Sequence, residues 1–134
     1  MNKIMCLLSN NTFAELSFSD FKMTLGKVIT SSKKVSPCSF VTLFECRSGS
    51  LLSNGLISGM VTYSIQSSDP EENTKETTLN IPFRLEDRDG YFFLKINPHI
   101  VGSSKFGCES IFTSSEGNYS EVLLNFANKE DCSE

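Results

Sequence analysis

Between Thr78 and Ile96 the chain can do little except form a β-hairpin. Leu79, Ile81, Phe83 and Leu85 alternate with Thr78, Asn80, Pro82 and Arg84. Successive side chains of a strand point to opposite faces, so this alternation buries one face and wets the other. Asp87-Arg88-Asp89-Gly90 follows, and then the aromatic run Tyr91-Phe92-Phe93-Leu94-Lys95-Ile96. An acidic, glycine-terminated turn between two such runs predicts a tightly joined antiparallel pair. Pro82 has no N–H to give to a ladder. The first arm is therefore a sheet edge at that point, or residue 82 faces away from its neighbour.

The rest of the chain is of the same kind. Its 134 residues contain eleven Phe, three Tyr and 30 Ser or Thr, but only two Ala, so the best helix former is nearly absent. A chain of this length buries roughly two-thirds of its unfolded surface and needs neither metal nor disulfide to fold. Ile4–Leu8 and Thr12–Phe18 read as strands, and Ser19-Asp20 breaks the register. Residues 19–30 fit a strand through Phe21, Met23 and Leu25, or a helix face through Phe21, Leu25, Val28 and Ile29. Gly26 and the β-branched Thr24, Val28, Ile29 and Thr30 favour the strand.

Cys38–Arg47 is apolar at both phases, with Phe40 and Phe44 on one face and Val41 and Leu43 on the other, which predicts a strand covered on both sides. Leu56–Gln66 alternates, and Gly59 on its inward face suggests a bulge or a close backbone approach. Leu51-Leu52 lies between two turns, and Ser67–Lys75 is the most polar loop, expected to be mobile. His99–Lys105 reads as a connection with room for a short helical turn, and Phe106–Thr113 and Tyr119–Ala127 as a second hairpin. The expected fold is an all-β, single-domain antiparallel β-sandwich, jelly-roll or Ig-like, of about eight or nine strands with at most one or two short helices. The domain spans residues 1–127, and residues 128–134 form a flexible polar tail.

The net charge of −4 is unevenly spread. Residues 1–66 carry six basic groups against three acidic ones, and residues 67–134 carry six against thirteen. Such a chain can pack head to tail, basic surface on acidic surface, unless strands of the two halves interleave and cancel the asymmetry. The five cysteines are odd in number and widely spaced, with no C-x-x-C pair. They read as free thiols in a reducing, intracellular and cytoplasmic setting, in keeping with a start too short for a signal peptide. The sequons at Asn10 and Asn118 carry no weight in that setting.

Little chemistry is visible. His99, the single histidine, could pair with Cys108 as base and nucleophile, but no motif surrounds them. One histidine and scattered cysteines do not make a zinc site. The acids Asp69, Glu71 and Glu72 sit at one end of the strand over 77–85, and Glu86, Asp87 and Asp89 at the other. Calcium needs converging oxygens, so no site is expected from these two groups. Lys33 and Lys34 are the candidate contact for a polyanion, RNA or an anionic membrane, in a chain that is acidic overall. Small intracellular lipid-binding barrels have a similar length, but they carry an early Trp and a helix pair that this chain lacks.

The remaining signal is a surface. Adjacent strand residues face opposite ways, so either Phe92 or Phe93 must leave the core. With Tyr91, Lys95 and Pro82 beside it, that ring marks a candidate interface, and the edge of the strand over 79–85 is a second means of association. The expected function is non-enzymatic protein–protein association, with itself or another protein, as in a small self-assembling or accessory structural protein of viral type. No cofactor is expected. The alternatives are a small β-barrel for an apolar ligand, and a multivalent RNA- or membrane-associated matrix-like protein.

Overall fold

The computed structural model describes residues 1–49, 54–68 and 76–129. They are all-β, with no helix among the described residues, and form two sheets packed face to face. The strands are β1 (Lys3–Asn11), β2 (Glu15–Leu25), β3 (Lys27–Ser31), β4 (Lys34–Val35), β5 (Phe40–Arg47), β6 (Ile57–Gln66), β7 (Thr78–Arg88), β8 (Tyr91–Ile96), β9 (His99–Val101), β10 (Phe106–Glu116) and β11 (Tyr119–Asn128). One sheet runs β10-β11-β1-β5-β3; the other runs β4-β2-β6-β7-β8, with β9 also on β7. Among the described residues the two sheets are hydrogen-bonded separately, the arrangement of a sandwich and not of a closed barrel.

Eleven strands replace the expected eight or nine because short breaks divide longer runs. Residues 19–30 are strand, cut in two by Gly26, where the chain passes from one sheet to the other. Gly26 has φ +92°, and a Cβ there would stand 2.6 Å from the Arg47 carbonyl oxygen. Asn97-Pro98 separates β8 from β9, and β9 is a strand where a helical turn had room. Both predicted hairpins form. Asp89 (φ +53°) and Gly90 (φ +87°) make the two-residue turn between β7 and β8, the backbone a tight hairpin requires. The sheets are not wholly antiparallel: β1 lies parallel to β11, paired from Lys3 with Tyr119 to Asn11 with Ala127.

The core is built from the inward phase of each strand. It includes Ile4, Cys6 and Leu8 of β1, Val61, Tyr63 and Ile65 of β6, Leu79, Ile81, Phe83 and Leu85 of β7, and Val122, Leu124 and Phe126 of β11. Phe44 and Phe83 from opposite sheets meet at 4.8 Å between ring centroids, with Phe21 edge-on to both, and this trio ties the layers together. The two-sided covering expected of Cys38–Arg47 does not occur. A bulge opposite Cys6 and Leu7 turns Leu43 and Phe44 into the same core, both fully buried, while Phe40 is 61% exposed. A single strand thus shows apolar residues at both phases without a second layer.

Two other irregularities have local causes. Gly59 keeps register with Phe83, and its lack of a side chain serves close approach: a Cβ would stand 2.8 Å from the Lys22 carbonyl oxygen and 3.2 Å from the Phe83 ring. Pro82 is not on an edge, because β7 is flanked by β6 on one side and by β8 and β9 on the other. It sits at the β8–β9 break, where its carbonyl accepts the Asn97 N–H at 3.1 Å. The main chain of residue 82 therefore faces that break, and no donor is missing toward β6. With β7 enclosed, the edge of residues 79–85 is unavailable for association, and the outer edge of this side among the described residues is formed by β8 and β9. Leu51-Leu52, most of the Ser67–Lys75 loop and the end of the polar tail lie outside the described residues.

The turn after β1 is closed by a buried polar knot. Asn10, fully buried, donates through Nδ2 to the carbonyls of Ala14 (2.9 Å) and Ser36 (3.0 Å). Its Oδ1 accepts from the Thr12 hydroxyl (2.7 Å) and N–H (3.1 Å). All of the amide's hydrogen-bonding capacity is directed inward, so the sequon at Asn10 serves the fold. Asn10→Ala would strand several buried partners and is expected to cost about 2–4 kcal/mol. Urea denaturation checks this; a loss below half a kcal/mol would show the knot to be dispensable.

Candidate functional site

Strand phase decides which predicted interface residues reach the surface. In β8, Phe92 and Ile96 are half-buried against the core and Leu94 is buried, while Tyr91, Phe93 and Lys95 face out. Phe93 is thus the ring that leaves the core. Register sets Arg84 of β7 beside Lys95, Glu86 beside Phe93 and Arg88 beside Tyr91 on the same outer face. Phe92 belongs to the interior, and half-buried Pro82 lies further along the outer face at the β8–β9 break.

Charge organises this face. Glu86 is the hub of three ion pairs, with Arg84 at 2.6 Å and Arg88 and Lys95 each at 3.5 Å. The Arg88 guanidinium also lies 4.9 Å from the Phe93 ring centroid. Desolvation alone would raise the Glu86 carboxyl, but Arg84, with Lys95 and Arg88, outweighs it and holds the group below the ordinary glutamate value. On the outer face three cations meet one carboxylate, while the exposed Asp87 and Asp89 at the turn bring the hairpin as a whole to neutral. Arginine and tyrosine, the residue types enriched in binding hot spots, lie together here with an exposed phenylalanine.

One margin of the sandwich is open. β10, the outermost strand of its sheet, approaches β8 and β9 across the gap between the layers. A cleft of about 590 Å³ lies there, lined by Phe83, Leu94 and Ile96 on one side and by Ser110 and Thr113 on the other. Ser110 and Thr113 pair with the buried Leu124 and Val122, so they occupy inward positions, yet both are exposed. From Glu109 to Glu116 every residue of β10 is exposed, including Ile111 (59%) and Phe112 (56%). This margin escaped sequence reasoning, since Phe106–Thr113 looks like an ordinary strand. The available signal was the serine and threonine at inward phase in place of apolar residues.

The other candidates fall apart in space or are engaged elsewhere. Lys33 lies 4.2 Å from the Phe18 ring centroid and Lys34 lies 3.4 Å from Glu15. Of the acids, Glu86 meets cations and Asp87 accepts the Gly90 N–H at 2.9 Å to close the turn, while Asp69, Glu71 and Glu72 lie outside the described residues. His99 is exposed and its Nδ1 lies 3.2 Å from the Asn97 carbonyl oxygen. Cys6, Cys46 and Cys108 share the core, and burial, with Glu109 close by, pushes the Cys108 thiol up to about 12. A nucleophilic thiol needs the opposite shift. No protein-family model matches the chain, and no curated protein matches it. Among the described residues, no helix is long and apolar enough to cross a membrane.

Two measurements check this electrostatic picture. Native protein at neutral pH should alkylate slowly at Cys108, at a rate well below that of the denatured chain; fast native labelling would contradict the raised thiol. A carboxyl held below its ordinary value binds its proton less readily in the folded state. Glu86 therefore stabilises the fold above the unfolded glutamate value, and that contribution fades as pH falls through the lowered one. Glu86→Gln should be the less stable protein at neutral pH and should converge with the parent in acid, as read by urea midpoints. A gap that is constant with pH would contradict it.

Proposed function

We propose that the protein is non-enzymatic and intracellular and works by protein–protein association, as a small self-assembling or accessory structural component of viral type. The observation that carries this reading is the outer face of the β7–β8 hairpin. There Tyr91 (79% exposed) and Phe93 (49% exposed) stand among Arg84, Arg88 and Lys95, uncovered by any described part of the chain. An aromatic face that presents three cations to one carboxylate suits an acidic protein surface, and the protein's own acidic chain offers one. The open margin beside it, with Ile111 and Phe112 exposed, adds a second uncovered apolar region. Burial raises the thiols of Cys6, Cys46 and half-buried Cys108, the opposite of what a nucleophile needs, while Cys38 is exposed.

The test is sedimentation of the protein, both in extract of the cells that make it and purified up to millimolar concentration. Species heavier than the 14.9 kDa monomer are expected in at least the extract. Tyr91→Ala and Phe93→Ala should each weaken the association through this face by about tenfold, the loss of roughly 1–2 kcal/mol typical of a hot-spot ring. A strict monomer under both conditions would overturn the reading.

A further inference from the structure

The two outer strands of the β10-β11-β1-β5-β3 sheet carry opposite charge. Among the described residues, β10 pairs only with β11 and β3 only with β5, so each has one free edge. The exposed stretch of β10 reads Glu-Ser-Ile-Phe-Thr-Ser-Ser-Glu from Glu109 to Glu116, uncharged between two glutamates. β3 reads Lys-Val-Ile-Thr-Ser from Lys27 to Ser31 and is followed by Ser32, Lys33 and Lys34. Val28 and Ile29 on it are exposed. An exposed edge with apolar side chains is a template for another strand.

Charge guards the acidic edge against its own kind. Two β10 strands brought together antiparallel about their centres would set Glu109 against Glu116 twice, which repels. Pairing β10 with β3 of a second copy removes that conflict, and the strand directions allow it. Within the sheet, β1, β11 and β3 run one way, and β10 and β5 run the other. A second copy set beside the first in the same orientation would therefore present its β3 antiparallel to β10.

The rows also match. Glu116 pairs with Tyr119, Tyr119 with Lys3, Lys3 with Arg47, and Arg47 with Lys27. Glu116 and Lys27 are thus the two ends of one row on one face. A side-by-side repeat brings Lys27 of one copy next to Glu116 of the other. Beyond the β10 bulge, Phe112–Glu116 is five residues of unbroken pairing; β3 is also five residues long, with a bulge of its own at Ile29.

We propose that copies of this chain join edge to edge, β10 of one to β3 of the next, extending the five-stranded sheet from subunit to subunit, with Glu116 against Lys27. The proposal rests on the association reading above and names the surface that a second copy uses. A β10–β3 contact is heterologous, so it builds a closed ring or an open filament according to the twist between copies. The net basic first half and acidic second half of the chain acquire a spatial meaning here. The strands of the two halves do not interleave: β10-β11 lie beside β1-β5-β3 in one sheet and β4-β2-β6 beside β7-β8 in the other. The asymmetry therefore persists across the sheets and reaches these two edges.

The test uses full-length protein, sedimentation velocity and two charge reversals, Glu116→Lys and Lys27→Glu. Both side chains are exposed at sheet edges, so each variant should fold, and its thermal unfolding is read alongside. Each single reversal should weaken self-association by about tenfold or more, because attraction becomes repulsion. Mixing the two variants should restore it, since each then offers the complement of the other. Assemblies that ignore both reversals would overturn the edge pairing while leaving association standing. Purified protein that stays monomeric at every concentration would overturn the edge pairing too. Association with other proteins is then judged by the extract, where a monomer would overturn that reading as well.

Discussion

The parallel ladder between β1 and β11 is the interaction on which the rest of the molecule depends. It joins the two ends of the described chain, in register from Lys3 and Tyr119 to Asn11 and Ala127. Parallel neighbours cannot be linked by a tight turn, so this pairing closes only after the whole intervening chain has folded back. It places β1 at the centre of the five-stranded sheet and leaves β10, which follows β11 outward, at its margin. The same step aligns Ile4, Cys6 and Leu8 with Val122, Leu124 and Phe126 in one buried layer. The first strand must wait for the last, and such long-range contacts slow folding.

From this closure follows the contrast between the interior and the margins. The core is filled by rings packed edge-on, tilted or, for Phe106 and Phe126, stacked, and its described polar members are satisfied. The Tyr63 hydroxyl donates to the Ser32 carbonyl at 2.6 Å, and Asn10 uses both ends of its amide. The margins are different. β10 is exposed on both faces over its outer two-thirds, the layers part above Phe83, Leu94 and Ile96, and β8 turns two aromatic rings to solvent. Apolar area left at sheet edges in a well-packed sandwich is what association would cover.

The sequence carried the architecture wherever periodicity was strong. The alternation of Leu79–Leu85, the Asp89-Gly90 turn and the hairpin before Tyr119 all appear as expected, as does the register break at Asp20. The misreadings share one physical cause, which is that a local irregularity mimics a tertiary feature. A bulge gave Leu43 and Phe44 the look of a two-faced strand, and a break opposite Pro82 gave β7 the look of an edge. The parallel pairing of first and last strands leaves no local trace and was not legible. Of the candidate interface, phase alone required one of Phe92 and Phe93 to leave the core, but the cations gathered around Glu86 needed the β7–β8 register. The acidic and basic edges were visible only as a lopsided charge count.

Amide hydrogen exchange at rising protein concentration tests the edge pairing most directly. If β10 of one copy takes β3 of the next, amides of residues 112–116 and 27–31 should gain protection together as concentration increases, while those of β11 and β1, already paired on both sides, stay constant. Protection of β10 and β3 that does not change with concentration would contradict it.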